Sequence, residues 1–174
     1  MGYTLHMLQR TSRFLLLAAC LSLLFAAPAE AKDLRKRFGL GFTTQFSPVS
    51  SLSAKITLPA PNPTINIQIQ ALVGFAILAK QNNTFFAGGR FLYTFIAEDN
   101  LNVYGGIGVG WVRWDAIEQA VRIQPVVGVE FFFFGLENLG ISAEGGVTVD
   151  AGTAGVDVMT SSGNFLGAGV HYYF

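Results

Sequence analysis

Residues 166–174 read Leu-Gly-Ala-Gly-Val-His-Tyr-Tyr-Phe, and Leu166, Ala168, Val170, Tyr172 and Phe174 alternate there with Gly167, Gly169, His171 and Tyr173. A period of two sends successive side chains to opposite faces of a strand, so one face of this segment is wholly apolar. The same pattern recurs seven times upstream. Its clearest instance sets Ile65, Ile67, Ile69, Ala71, Val73, Phe75 and Ile77 against Asn66, Gln68, Gln70, Leu72 and Gly74. The others begin with Phe38, Leu40, Phe42, Thr44 and Phe46 on one row, and continue through residues 52–58, 85–95, 101–111, 121–133 and 139–149. Eight strands in succession, with no long 3.6-residue apolar period after the first 31 residues, predict an all-β chain.

The second row decides which way the sheet faces. Lys55, Arg90, Arg122, Glu130, Glu144 and His171 all fall on the less apolar row. A lipocalin-like soluble barrel would turn the apolar row inward. Here the charges ask for the interior and the apolar row for the exterior, the arrangement of a membrane barrel whose backbone groups pair around a closed sheet. The reading is an eight-stranded antiparallel up-and-down transmembrane β-barrel over residues 38–174. Rows led by Ile67, Ile69 and Val73 and by Ile107, Val109 and Trp111 should point away from the axis. Turns at one end are expected at 59–64, 97–100 and 135–138. Longer loops at the other end are expected near Pro48, at 81–83 and 115–120, and at 150–164. Aromatic residues should band at two depths: Tyr93, Phe95, Tyr104, 131–134 and 172–174 at one end, and Phe46, Phe85, Phe86, Trp111, Trp114 and Phe165 at the other. Pro125 cannot donate to a ladder, which predicts a bulge or local break there, or a sixth strand that starts later.

Ahead of the strands, Arg10 and Arg13 precede an apolar run ending in Pro28-Ala29-Glu30-Ala31. A charged region, an apolar core and an A-x-A site make a secretory signal peptide, expected to be removed as residues 1–31. Residues 32–37, Lys-Asp-Leu-Arg-Lys-Arg, form a basic leader, either a solvated tail or a contact for anionic headgroups. The single cysteine, Cys20, lies in the removed segment, so no disulfide or thiolate site is expected. With 11 basic and 11 acidic residues and no basic stripe, nucleic acid is not an expected partner. No phosphate-binding loop or metal-ligand spacing occurs, and no cofactor is expected.

The ending Val170-x-Tyr172-x-Phe174 resembles the C-terminal strand of bacterial outer-membrane β-barrels. Residues 38–174 resemble the small OmpA- or OmpX-like barrels at the level of architecture. The resemblance implies a monomer in the outer membrane of a Gram-negative envelope, surrounded by outer-membrane lipids and lipopolysaccharide, with turns and both termini on the periplasmic side. It further implies that Val170, Tyr172 and Phe174 are the signal read by the barrel-assembly machinery. The role it suggests is structural or interactive, and it carries over no catalytic residue.

Three readings of the interior stay open. In the first, the tight hairpin at 135–138 brings Glu130 opposite Glu144 or one side-chain step away, and Lys55 and Arg90 compensate these carboxylates, making a charge network that plugs the lumen. In the second, Ser142, Glu144 and His171 meet as nucleophile, orienter and base of a lipid A modifying hydrolase or transferase. The third is a narrow passive pore, suggested by inward glycines such as Gly39, Gly106, Gly108 and Gly110, although eight strands leave an interior just wide enough for side chains to fill. On the resemblance, Phe174→Asp is expected to leave secretion intact and to lower the heat-modifiable, membrane-inserted fraction on cold gels. An unchanged inserted fraction would count against reading the ending as an assembly signal.

Overall fold

The computed structural model describes residues 33–60, 62, 65–78, 83–114, 118–160 and 166–174. The expected signal peptide, Lys32, Phe165 and parts of the 59–64, 81–83, 115–120 and 150–164 loops lie outside the described residues. Nine strand segments follow one another: β1 Phe38–Thr43, β2 Ser51–Leu58, β3 Ile67–Ala76, β4 Thr84–Ala97, β5 Leu101–Arg113, β6 Gln119–Phe133, β7 Leu136–Gly152, β8 Gly155–Thr160 and β9 Gly167–Tyr173. Each of β1 to β7 pairs antiparallel with the next, and β9 closes the sheet by pairing with both β7 and β1. The result is an eight-stranded closed barrel, because β8 and β9 share one edge of β7. β8 covers Val147 to Gly152, and β9 covers Leu139 to Glu144.

Closure sets the barrel's width. Followed through β2 to β6, the partners of Thr43 arrive at Gly152 on β7. Followed the other way through Gly169, they arrive at Ser142. The sheet therefore closes with a stagger of ten residues, the difference between 152 and 142. For eight strands this stagger corresponds to a tilt of about 40°, an interior that side chains can fill.

Facing follows the alternation. Phe42, Phe75, Phe91, Val109 and Val127 are exposed on the outer wall, Phe42 by 67% and Phe75 by 64%. Ile69, Val73, Ile107 and Trp111 share that wall, as expected of their rows. Lys55, Gln70, Arg90, Arg122, Glu130, Glu144 and His171 are buried inside. An apolar-lined interior of the lipocalin type is thereby excluded.

Several expectations require correction. The 150–164 segment is not simply a loop, since β7 continues to Gly152 and turns back into β8. The turn expected over 135–138 is tighter: Phe133 pairs with Leu136 across Phe134 and Gly135, the latter at φ 80°, a conformation suited to glycine. The expectation at Pro125 holds in one of its forms, a local break, with no bulge and no later start of β6. Its ladder to β5 is continuous, whereas pairing with β7 stops at Ile123 with Val149 and resumes at Val126 with Gly146 in the same register. The proline thus removes bonds on one edge only, as a residue without an N–H must.

The aromatic bands also divide. Tyr93, Phe95, Phe133, Tyr172 and Phe174 face outward at the leader end, and Phe85 and Trp111 do so at the opposite, outer end. Tyr104, Phe132 and Tyr173 instead point inward, as do Phe46 and Phe86 at the outer end, with Trp114 packed against their cluster. Phe46 was expected outside. β1 ends at Thr43, and Phe46 takes φ 68°, which swings its ring into the barrel, edge-on to Phe86 at 5.1 Å.

This inward ring explains part of the glycine content of the inner wall. A Cβ on Gly88 would stand 2.8 Å from the rings of Phe46 and Phe86, and one on Gly108 would stand 2.8 Å from Phe46. These glycines make room for the aromatic plug. Gly88→Val is therefore expected to destabilise the barrel by about 1–3 kcal/mol through overpacking. The cost should shrink when Phe46→Ala is added, which a double-mutant cycle by urea unfolding measures; strictly additive losses would mean that Gly88 serves something other than the Phe46 ring.

Candidate functional site

The chemistry-bearing residues lie in the lumen, delivered there by the alternation of β2 to β7 and β9. Lys55 on β2 reaches across the barrel to Glu130 on β6, with Nζ 2.9 Å from Oε1. The Tyr173 hydroxyl donates to the same oxygen at 2.8 Å. One layer further out, an Arg90 guanidinium nitrogen donates to Glu144 Oε2 and another to Gln70 Oε1 at 3.3 Å, while the Tyr104 hydroxyl donates to Glu144 Oε1 at 2.6 Å. At the outer end Arg122 grips Asp150 with two bonds of 2.7 Å and donates to the Phe46 carbonyl at 3.0 Å. Among the described residues Lys55, Arg90 and Arg122 thus each meet a carboxylate, and the carboxylates bonded by tyrosine hydroxyls gain further acceptor satisfaction. This is the condition under which buried charge persists.

Glu130 and Glu144 are neighbours but not opposite. Glu130 pairs with Ser142, and Glu144 with Gly128, so the carboxylates sit one side-chain step apart on a diagonal. The irregularity between Phe132 and Phe133, next to the short turn, sets that offset. Lys55 and Arg90 both act as compensating cations, each for a different glutamate.

Ser142, Glu144 and His171 are all in the lumen, yet each is engaged elsewhere. His171 Nε2 lies 2.8 Å from Ser53 Oγ, which also accepts from Gln70 Nε2 at 2.6 Å. Ser142 Oγ accepts from Gln45 Nε2 at 3.1 Å, and Glu144 serves Arg90 and Tyr104. In register His171 faces Gly140 while Ser142 faces Gly169, so histidine and serine are diagonal neighbours with different partners. The nucleophile–base–orienter arrangement is not assembled.

Two apolar stoppers bracket the charged layers. At the outer end Phe46, Leu72, Phe86, Val112 and Ala120 form one cluster, and at the leader end Leu34, Phe132 and Tyr173 form the other. Leu34 is fully buried, which a solvated leader would not have. Backbone bonds between Lys36 and Thr57 and between Thr57 and Arg37 tie the segment to β2, and Arg37 donates to Asn138 at 2.8 Å. The space left beside Gln45, Phe46, Gln124 and Glu144 is about 10 Å³, no more than one water requires.

Asp150, Leu34 and Phe46 were not legible as lumen residues. Asp150 had a signal, because it continues the even row of Ser142, Glu144 and Thr148, but its place in a presumed loop hid it. Leu34 and Phe46 lie outside regular strands, where alternation says nothing about direction.

No family model matches the chain, and no curated protein or solved structure matches it either.

Arg90→Ala should leave Glu144 buried without its cation and cost about 3–5 kcal/mol in urea unfolding. Adding Glu144→Gln should recover part of that loss, and adding Glu130→Gln should recover little, since Glu130 keeps Lys55. Equal recovery by both would show one shared network in place of two pairs.

Proposed function

We propose that the chain is a small outer-membrane β-barrel of the OmpA- and OmpX-like kind, exported by its N-terminal segment and serving a Gram-negative envelope in a structural or interaction role with its lumen occluded. The observation that carries this reading is the reversal of the usual facing around a closed sheet. Large apolar side chains cover the outside while the pairs Lys55–Glu130, Arg90–Glu144 and Arg122–Asp150 fill the inside. In water such a wall would be an exposed apolar surface far beyond the few hundred Å² that monomeric soluble proteins tolerate. In a bilayer it is the expected lipid face, and closure leaves no strand edge unpaired where pairing continues around the wall.

Occlusion argues for a role other than transport. Ion pairs, tyrosines and two stoppers occupy the lumen, and its polar groups are largely spent on one another. Pairing buried charge in this way is the usual structural use of it. The acyl-transfer alternative draws no support from Ser142 and His171, whose hydrogen bonds run to Gln45 and Ser53.

The two tryptophans offer a direct test. Trp111 faces outward, whereas Trp114 packs on the inner cluster. In vesicles containing chain-brominated phosphatidylcholine, the Trp114→Phe variant, which keeps Trp111, should be quenched more strongly than the Trp111→Phe variant. Equal or absent quenching would sink the membrane reading. In planar bilayers the wild type should show no porin-like conductance steps, and sustained steps would overturn the occluded lumen.

A further inference from the structure

Pro125 interrupts the β6–β7 ladder between Ile123 and Val126, and the two residues that flank it, Gln124 and Val126, are both buried inside the barrel. Alternation puts Gln124 on the inward row of β6, level with Gly108 on β5. Its side chain is only half satisfied. The Nε2 group donates to Thr148 Oγ1 at 2.8 Å, whereas Oε1 has no hydrogen-bond partner among the described residues. With the residue 2% exposed, bulk solvent does not reach that oxygen. An amide oxygen held in this way costs free energy until something donates to it, and buried polar groups of native proteins are nearly always satisfied.

The small cavity of about 10 Å³ touches this side chain. Gln124, Glu144 and Gln45 give it polar walls, and Phe46 and Val126 give it apolar ones. Glu144 accepts from Arg90 and from the Tyr104 hydroxyl. A carboxylate offers about four acceptor positions, so it can accept further. Gly167 also lines the cavity, and a Cβ there would stand 3.0 Å from Gln45 Cγ, so the glycine keeps the space open.

We propose that this cavity is the binding site of a single internal water molecule, which donates one proton to Gln124 Oε1 and the other to the Glu144 carboxylate. The lining selects the ligand. Two acceptors exclude an anion, and the Arg90 guanidinium already seated on Glu144 disfavours a cation. The volume excludes anything larger than one oxygen atom with its hydrogens. Water alone among small ligands brings two donors in that space, and a bridging water satisfies buried acceptors nearly as well as a direct bond. It links the Arg90–Glu144 pair to the Gln124–Thr148 pair at the level where the ladder is broken. The site follows from the closed barrel and does not depend on the membrane reading.

The test is radiolytic labelling of the full barrel in dodecyl maltoside. X-ray pulses split bound water in place, and the hydroxyl radical adds to the side chains beside it, where mass spectrometry reads it. Matched buried side chains serve as controls: Phe46 and Val126 line the cavity, whereas Phe86 and Val112 are also buried but are not among its lining residues. In the wild type Phe46 should be labelled several-fold faster than Phe86, and Val126 several-fold faster than Val112. Gln124→Leu, which removes the acceptor and fills the space, should lose that excess while migrating on cold gels as the folded wild type does. Equal labelling within the pairs in the wild type overturns the site, and so does an excess that survives Gln124→Leu. Should the variant fail to fold, the wild-type comparison still decides.

Discussion

Everything in this molecule depends on the pairing of β9 with β1. That seam, Gly39 with Tyr173 through Thr43 with Gly169, turns a meander of strands into a ring. A ring satisfies backbone N–H and C=O groups within the wall, so the wall's outer surface needs no water and is free to be apolar. The stagger of closure fixes the interior width, and with it how far Lys55 must reach to meet Glu130 and which rings fit between the walls. A different stagger would leave the same strands with a different core.

That core is polar, which inverts the usual energetics of a small protein. Its cohesion comes from ion pairs and hydrogen bonds that would be weak on a wet surface but act more strongly in a dry interior. The same dryness makes each pair conditional on its partner, because an orphaned buried charge is costly where a solvated one is not. The apolar stoppers belong to this logic. Phe46 with Phe86 at one end and Leu34 with Phe132 at the other shield the charged layers from solvent, and the glycines of β4 and β5 yield the space the outer stopper occupies.

The proposed place of the protein follows from what its two surfaces ask for. The outer wall is apolar at mid-height, while the charged groups described inside are paired with one another. A barrel of this kind presents its wall and rim to its surroundings and withholds its lumen. The proposed role in the envelope, carried by wall and rim, accords with that division.

The facing of strand residues was legible in the sequence because alternation is local: Lys55, Arg90, Glu130 and Glu144 declare themselves inward within their own segments, with no knowledge of any other strand. The strand count and the order of neighbours followed from the same pattern and from short turns. Partnership was not legible. Lys55 and Glu130 are 75 residues apart and lie on strands that do not pair, so only closure and stagger decide that they meet and that Arg90 takes Glu144. Nor could periodicity place Leu34 or Phe46, because outside a strand the backbone dihedral sets the direction of a side chain, and at Phe46 that dihedral is a left-handed φ no pattern announces. The sequence by itself determined which face each strand residue takes, a matter of local geometry. The tertiary structure alone decided which charges neutralise one another and what seals the ends, since both depend on distances across a barrel that exists only once it has closed.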